Sequence, residues 1–277
     1  QGQSAASVKR SAIDYGASML GTQGSPLLFF LLVFAFSAPV WLIGAVSRWL
    51  LLPGVPASGI MAMCPALAAT LLVYREGGIS AIATLFKRSF DYTCITNSVW
   101  LLPMLLLMPA VMFISYAAMR LFELPLPVVE INWSAVPLLF LVLFFAAFTE
   151  ELGWSGYVLD PLLDRWSALR ASLVLGSVWA AWHLVPLQQA GCAATWIAWW
   201  CLATVSLRIL HTWLYCNTGH SILGQALFHA SFNTSWQLFP NNGSHYNPKI
   251  TGLVLAVTAM LVVWRWGPSR LVRQTHS

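Results

Sequence analysis

Eight long apolar runs separated by short polar stretches limit what this sequence can fold into. In order they cover 27–47, 58–74, 98–121, a stretch starting near 134, about 168–188, 193–215, 221–238 and 250–266. Each approaches the ~20 residues that a helix needs to cross ~30 Å of hydrocarbon. A soluble fold could not hide them: 58% of residues are hydrophobic and 8% charged, against roughly 25% charged in an ordinary soluble domain. The runs do not alternate apolar and polar residues, which argues against a β-barrel. The reading is an all-α, polytopic membrane helix bundle of about eight transmembrane helices. A polar segment over 1–26 precedes a single transmembrane domain over 27–266, and a basic tail over 267–277 follows it. The first run reads as a first span and not a cleaved leader, because many more runs follow. Pro39, Pro65, Pro103, Pro109 and Pro186 fall in or near spans and are expected to kink helices whose freed carbonyls neighbouring helices satisfy.

Cationic loops concentrate on the cytoplasmic side. With the N-terminus inside, that side holds Lys9, Arg10, Arg75, Lys87, Arg88, Arg165, Arg170, Arg265, Arg270 and Arg273. The outer side holds Arg48, Arg120 and Lys249. Both termini are therefore expected in the cytoplasm, in a multi-pass protein of the cell (plasma) membrane. The net charge of +5 is this topology signal; no basic stripe with interleaved aromatics points to nucleic acid. Cys64, Cys94, Cys192, Cys201 and Cys216 form no CxxC or CxxH spacing and read as packed thiols.

Charge inside a membrane costs ~2.5–3.5 kcal/mol on insertion scales, so polar residues within the runs carry the information. Glu150 and Glu151 close the run LLFLVLFFAAFT. On a continuing helix they point about 100° apart, so one of them faces a shared cavity. Two adjacent carboxylates resist joint ionisation, which suits a general base; interfacial glutamates at a helix end are the plainer reading. His229 and Asn233 are four apart and share a helix face, where both can donate to an oxyanion or simply bond neighbouring helices. His183 stands three residues before Pro186, and His211 one turn after Arg208; each alone reads as a packing histidine. Arg208 needs an acid, and Glu150 or Glu151 is its natural counter-charge. His220, His245 and His276 fall in loops or the tail and receive no role. Acids on span four, a histidine on span five and a His/Asn face on span seven together supply a base, a proton shuttle and an oxyanion clamp.

Three stretches carry a family resemblance. They are Glu150-Glu151-Leu152-Gly153-Trp154-Ser155-Gly156-Tyr157, Trp179-Ala180-Ala181-Trp182-His183 and His229-Ala230-Ser231-Phe232-Asn233. In this order, over about 140–240, they resemble the CAAX-processing and bacteriocin-processing intramembrane proteases, the type II CAAX prenyl endopeptidase or Abi family. The resemblance implies a helical membrane endopeptidase that cleaves a peptide or lipidated peptide near the cytoplasmic face. It implies that Glu150 and His183 activate water, with Glu151 beside them, and that His229 and Asn233 hold the oxyanion. Metal use is left open: there is no HExxH, and the candidate ligands are the same residues.

One position departs from the family pattern. Its first motif places an arginine four residues after the second glutamate, where this chain has Ser155. Arg208 is expected to take over as the buried counter-charge; otherwise the chain is a non-catalytic peptide-binding immunity or chaperone protein. The same change creates Gly153-Trp154-Ser155-Gly156, which resembles the rhomboid serine motif, although His229 lacks the small-residue pattern of that partner helix. A transporter is disfavoured by the absence of an internal repeat. Depth poses a further condition. Glu150 reads nearer the inner face and His183 nearer the outer, so they meet only if span four stays helical through about Leu159 or span five starts deeper.

Overall fold

A computed structural model describes residues 24–47, 49–52 and 55–273. Lys9, Arg10, Arg48 and His276, with most of the polar first segment and the last four residues, lie outside the described residues. The chain is a polytopic all-α membrane bundle. Among the described residues ten α-helices follow in order: α1 Pro26–Val46, α2 Cys64–Ser89, α3 Leu101–Leu121, α4 Val136–Gly153, α5 Leu159–Arg165, α6 Ala168–Trp182, α7 Leu184–Gln189, α8 Ala194–Asn217, α9 Ile222–Gln237 and α10 Pro248–Trp266. A two-stranded hairpin, β1 Leu50–Leu52 with β2 Val55–Pro56, is the one piece of sheet among the described residues.

Among the described residues, seven helical stretches are long and apolar enough to cross a membrane. All eight apolar runs are helical, but the 221–238 run forms α9, whose 16 residues extend ~24 Å at 1.5 Å per residue. It packs inside the bundle against α4 and α3, while α8 is flanked by α6 and α10. In α8, 72% of the most apolar stretch is buried inside the protein, against 22–28% in α1, α3 and α10. The bundle is thus a ring of lipid-facing helices around α8 and α9, the two that carry Arg208, His211, His229 and Asn233.

The second span, 58–74, is followed by a break in its helix. Its helical stretch runs Ala57–Ser89 and bends at Gly77–Gly78, where Gly78 takes φ +68°. That left-handed conformation suits a residue without Cβ. Pro186 ends a regular helix rather than merely bending it. It cannot donate to the Trp182 carbonyl, so α6 stops at Trp182 and His183 takes a turn conformation before α7 begins. The first and last described residues lie at one end of the bundle. Gly24 packs against Tyr157 and Pro161, and the Ala168 N–H donates to the Ser269 carbonyl at 2.8 Å.

Candidate active site

Span four does not stop at Glu151. After Gly153 the chain makes one π-helical turn, Trp154–Val158, and continues as α5 to Arg165. This is the first of the two ways in which Glu150 and His183 could meet. Such turns are uncommon and concentrate at functional sites. Side chains pin this one. Arg88 bonds the Gly156 carbonyl at 3.5 Å and Asp160 at 2.7 Å, and Asp160 also accepts from Tyr215 at 3.0 Å. Gly153 lies flush against the backbone of Pro65, where a Cβ would come within 2.5 Å of the carbonyl oxygen. That close contact of α4 with α2 requires glycine.

The two glutamates face different partners. Glu150 retains 6% exposure and accepts from Trp179 Nε1 at 3.0 Å. Glu151 is fully buried. Arg208 donates to both its oxygens at 3.2 and 3.1 Å, the Ser155 hydroxyl donates to Oε2, and His229 Nδ1 lies 3.0 Å from Oε1. The repulsion expected of adjacent carboxylates is thereby relieved, because a bidentate guanidinium balances Glu151. Gly176 admits this arrangement: it sits against the Arg208 Cβ and the Val205 backbone, so α6 and α8 approach closely.

Trp179 is the hub. Its N–H holds Glu150, the Arg208 guanidinium carbon lies 4.2 Å from its ring centroid, and the rings of His183, His211 and His229 meet it edge-on at 5.2–5.9 Å. His183 is half-buried at the α6–α7 break, with Nδ1 2.8 Å from the Trp179 carbonyl. A carbonyl only accepts, so Nδ1 carries the proton and Nε2 offers a lone pair. Asn233 stands one turn beyond His229 on α9 and is half-buried. Two members escaped sequence reasoning. Trp179 stood only as a motif aromatic, and His211 as a packing histidine. His211 lies 4.0 Å from Glu151 and is held by Gln225, whose amide nitrogen donates to Nδ1 at 2.8 Å while its oxygen accepts from the Tyr215 N–H.

Glu151, His211 and His229 bring one ligand atom each within 4.8 Å of one another, a spacing that could hold a metal ion. The donor set does not fit one. A carboxylate offers about four acceptor sites, and on Glu151 Arg208 takes two, Ser155 one and His229 one. Nδ1 of His211 is already engaged by Gln225. A cation would have to displace a buried guanidinium. EDTA in excess is accordingly expected to leave turnover within about twofold of the untreated rate, where a protein-bound catalytic metal would be stripped; a peptide-cleavage assay before and after chelation checks this.

A helical membrane bundle enclosing a carboxylate–histidine–tryptophan centre defines a polytopic membrane protein equipped for acid–base chemistry. Comparison with known proteins makes the class specific. Residues 132–235 match the family described as type II CAAX prenyl endopeptidase Rce1-like. The chain is also 27% identical over 271 residues to CAAX prenyl protease 2 of Methanococcus maripaludis, an alignment covering 87% of this chain and 94% of the relative. Residues 132–235 thus resemble an Rce1-like domain, and these similarities support a multi-pass membrane peptide hydrolase of the CAAX prenyl protease type.

Proposed function

We propose that this protein is an intramembrane endopeptidase that hydrolyses a peptide or lipidated peptide near the cytoplasmic face of the plasma membrane. Glu150 is the general base. It takes a proton from water, and the resulting hydroxide attacks the scissile carbonyl. His183, with its free Nε2, relays protons towards the leaving amine. His229 donates Nδ1–H to Glu151; a proton on Nε2 makes the ring a cationic donor to the oxyanion, with the Asn233 amide as second donor. Glu151, Ser155 and Arg208 orient His229 and do no bond chemistry. The observation that carries this reading is the pairing of a slightly exposed Glu150 with a sealed, charge-balanced Glu151 around one tryptophan. The cytoplasmic assignment rests on the bundle end that gathers Arg88, Arg165, Arg170 and the 265–273 arginines.

The test is purified protein in nanodiscs with a synthetic peptide ending in a farnesylated cysteine and three further residues, beside its unprenylated twin. Release of the C-terminal tripeptide, read by mass spectrometry, supports the proposal. Binding of both peptides without cleavage of either would instead mark a peptide-binding protein on the same fold. Ser155 has little to offer as a nucleophile, since it is fully buried and its hydroxyl is committed to Glu151. The oxyanion assignment carries its own prediction. His229→Ala and Asn233→Ala are each expected to lower kcat about 10²–10³-fold with KM nearly unchanged, as for loss of a donor used only in the transition state. A rise in KM at constant kcat would move these residues to substrate binding.

A further inference from the structure

The positively charged end of the bundle contains two adjoining cavities that no residue of the hydrolytic centre lines. The first, of about 570 Å3, is a bowl bearing Arg265, Arg270 and Arg273. The second, of about 490 Å3, is a slot among α3, α8 and α10 lined by Val99, Trp100, Pro103, Trp213 and Asn217. Trp266, Val272 and Arg273 line both, so the basic bowl continues into the tryptophan slot. All three arginines are exposed, and among the described residues none forms an ion pair. Arg265 and Arg273 instead lie over Trp266, their guanidinium carbons 5.8 and 5.5 Å from its ring.

The segment after α10 is tied down. Besides the Ala168–Ser269 bond, the Leu169 N–H donates to the Pro268 carbonyl at 3.0 Å, and Asn217 Nδ2 donates to the Leu271 carbonyl at 2.7 Å. Leu271 is fully buried yet takes φ +52°, a conformation unfavourable for a residue with a Cβ. Burial and the Asn217 bond hold the backbone there, and the arginines on either side of it stay at the bowl. Strained backbone kept by its surroundings is a feature of ligand sites.

We propose that this end binds an anionic phospholipid, with the phosphate headgroup in the arginine bowl and the first part of an acyl chain in the tryptophan slot. Unpaired guanidinium groups on a structured segment match phosphate oxygens. Basic pockets between membrane helices at the cytoplasmic side take such headgroups. An inorganic phosphate would use the bowl alone; the apolar slot opening from it is what selects a lipid.

The experiment uses the full chain, delipidated in detergent and titrated with phosphatidylglycerol or phosphatidylcholine while bound lipid is counted by native mass spectrometry. Phosphatidylglycerol is expected to bind at least tenfold more tightly than phosphatidylcholine. Arg270→Gln and Arg273→Gln are each expected to weaken it about fivefold, with the Arg265→Gln/Arg270→Gln/Arg273→Gln variant cumulative, as for surface cations near anionic lipid. Trp266→Ala weakens it as well. Arg75→Gln/Lys87→Gln, at the same end but outside the bowl, leaves binding unchanged. Equal binding of the two lipids, or equal loss in that control variant, overturns the proposal. So does inorganic phosphate that displaces the lipid at equal concentration, which would make the bowl a free-anion site, or displacement by a farnesylated peptide, which would make both cavities part of the substrate path. Circular dichroism and elution volume confirm that each variant is folded; because the substituted arginines are exposed, single variants suffice if the triple one is not.

Discussion

Glu150→Gln is expected to lower kcat for peptide cleavage by about 10³–10⁴, near the upper range for loss of a positioned general base, while leaving KM and melting temperature close to wild type. Glutamine keeps the shape of the side chain and an oxygen that accepts from Trp179 Nε1, so the 3.0 Å bond that sets the geometry survives. What disappears is the ability to take a proton from water. Glu151→Gln has a different signature. Its carboxylate bears the Arg208 guanidinium, so losing its charge leaves a buried cation unpaired and destabilises the bundle. The adjacent substitutions thus separate in two measurements, turnover and thermal melting. A Glu150→Gln protein that keeps more than a tenth of wild-type turnover would remove this residue from the chemistry.

The spans were legible because hydropathy over twenty residues is a strong signal that tertiary context seldom overrides. The edges of α1, α8 and α10 fall within about two residues of their apolar runs. The second span, read as 58–74, ends just before the break at Gly77–Gly78, and a further helical piece runs from there to Ser89. The sequence singles out Glu150, Glu151, His183, Arg208 and His229, which gather around Trp179, but it does not show how they are wired. Helical spacing puts His229 and Asn233 on one face, yet no spacing tells which carboxylate each would meet. That Glu151 and not Glu150 takes Arg208 depends on how α4 is rotated against α8. The π-turn at 154–158, which carries the helix on past the site, leaves no periodic trace in an apolar run. Trp179 and His211 became visible only through contacts among α4, α6, α8 and α9. Their one local hint is that Arg208 and His211, three residues apart, present two ionisable groups along one side of an otherwise apolar helix.

Arg208→Ala is expected to cost about 3–5 kcal/mol of stability and most of the activity, because removing one partner of a buried pair strands the other charge. Glu151 would be left fully buried with only the Ser155 hydroxyl and the histidines for compensation. It would then recruit His229 more strongly and turn that ring away from the oxyanion. Arg208→Met/Glu151→Gln removes both charges at roughly constant volume and is expected to recover most of the stability with little of the turnover, so a double-mutant cycle on melting temperature reads the coupling directly. The more discriminating variant restores the family's own arrangement. In Arg208→Ala/Ser155→Arg the cation comes from one turn along the same helix, where an i, i+4 pair with Glu151 forms, and the space left by Arg208 receives the new guanidinium. Recovery of more than half the lost stability together with measurable cleavage would establish Ser155 and Arg208 as exchanged positions for one charge. An Arg208→Ala protein that melts and cleaves like wild type would show instead that Glu151 needs no counter-ion, and the orienting role given to the Glu151–Arg208 pair would fall.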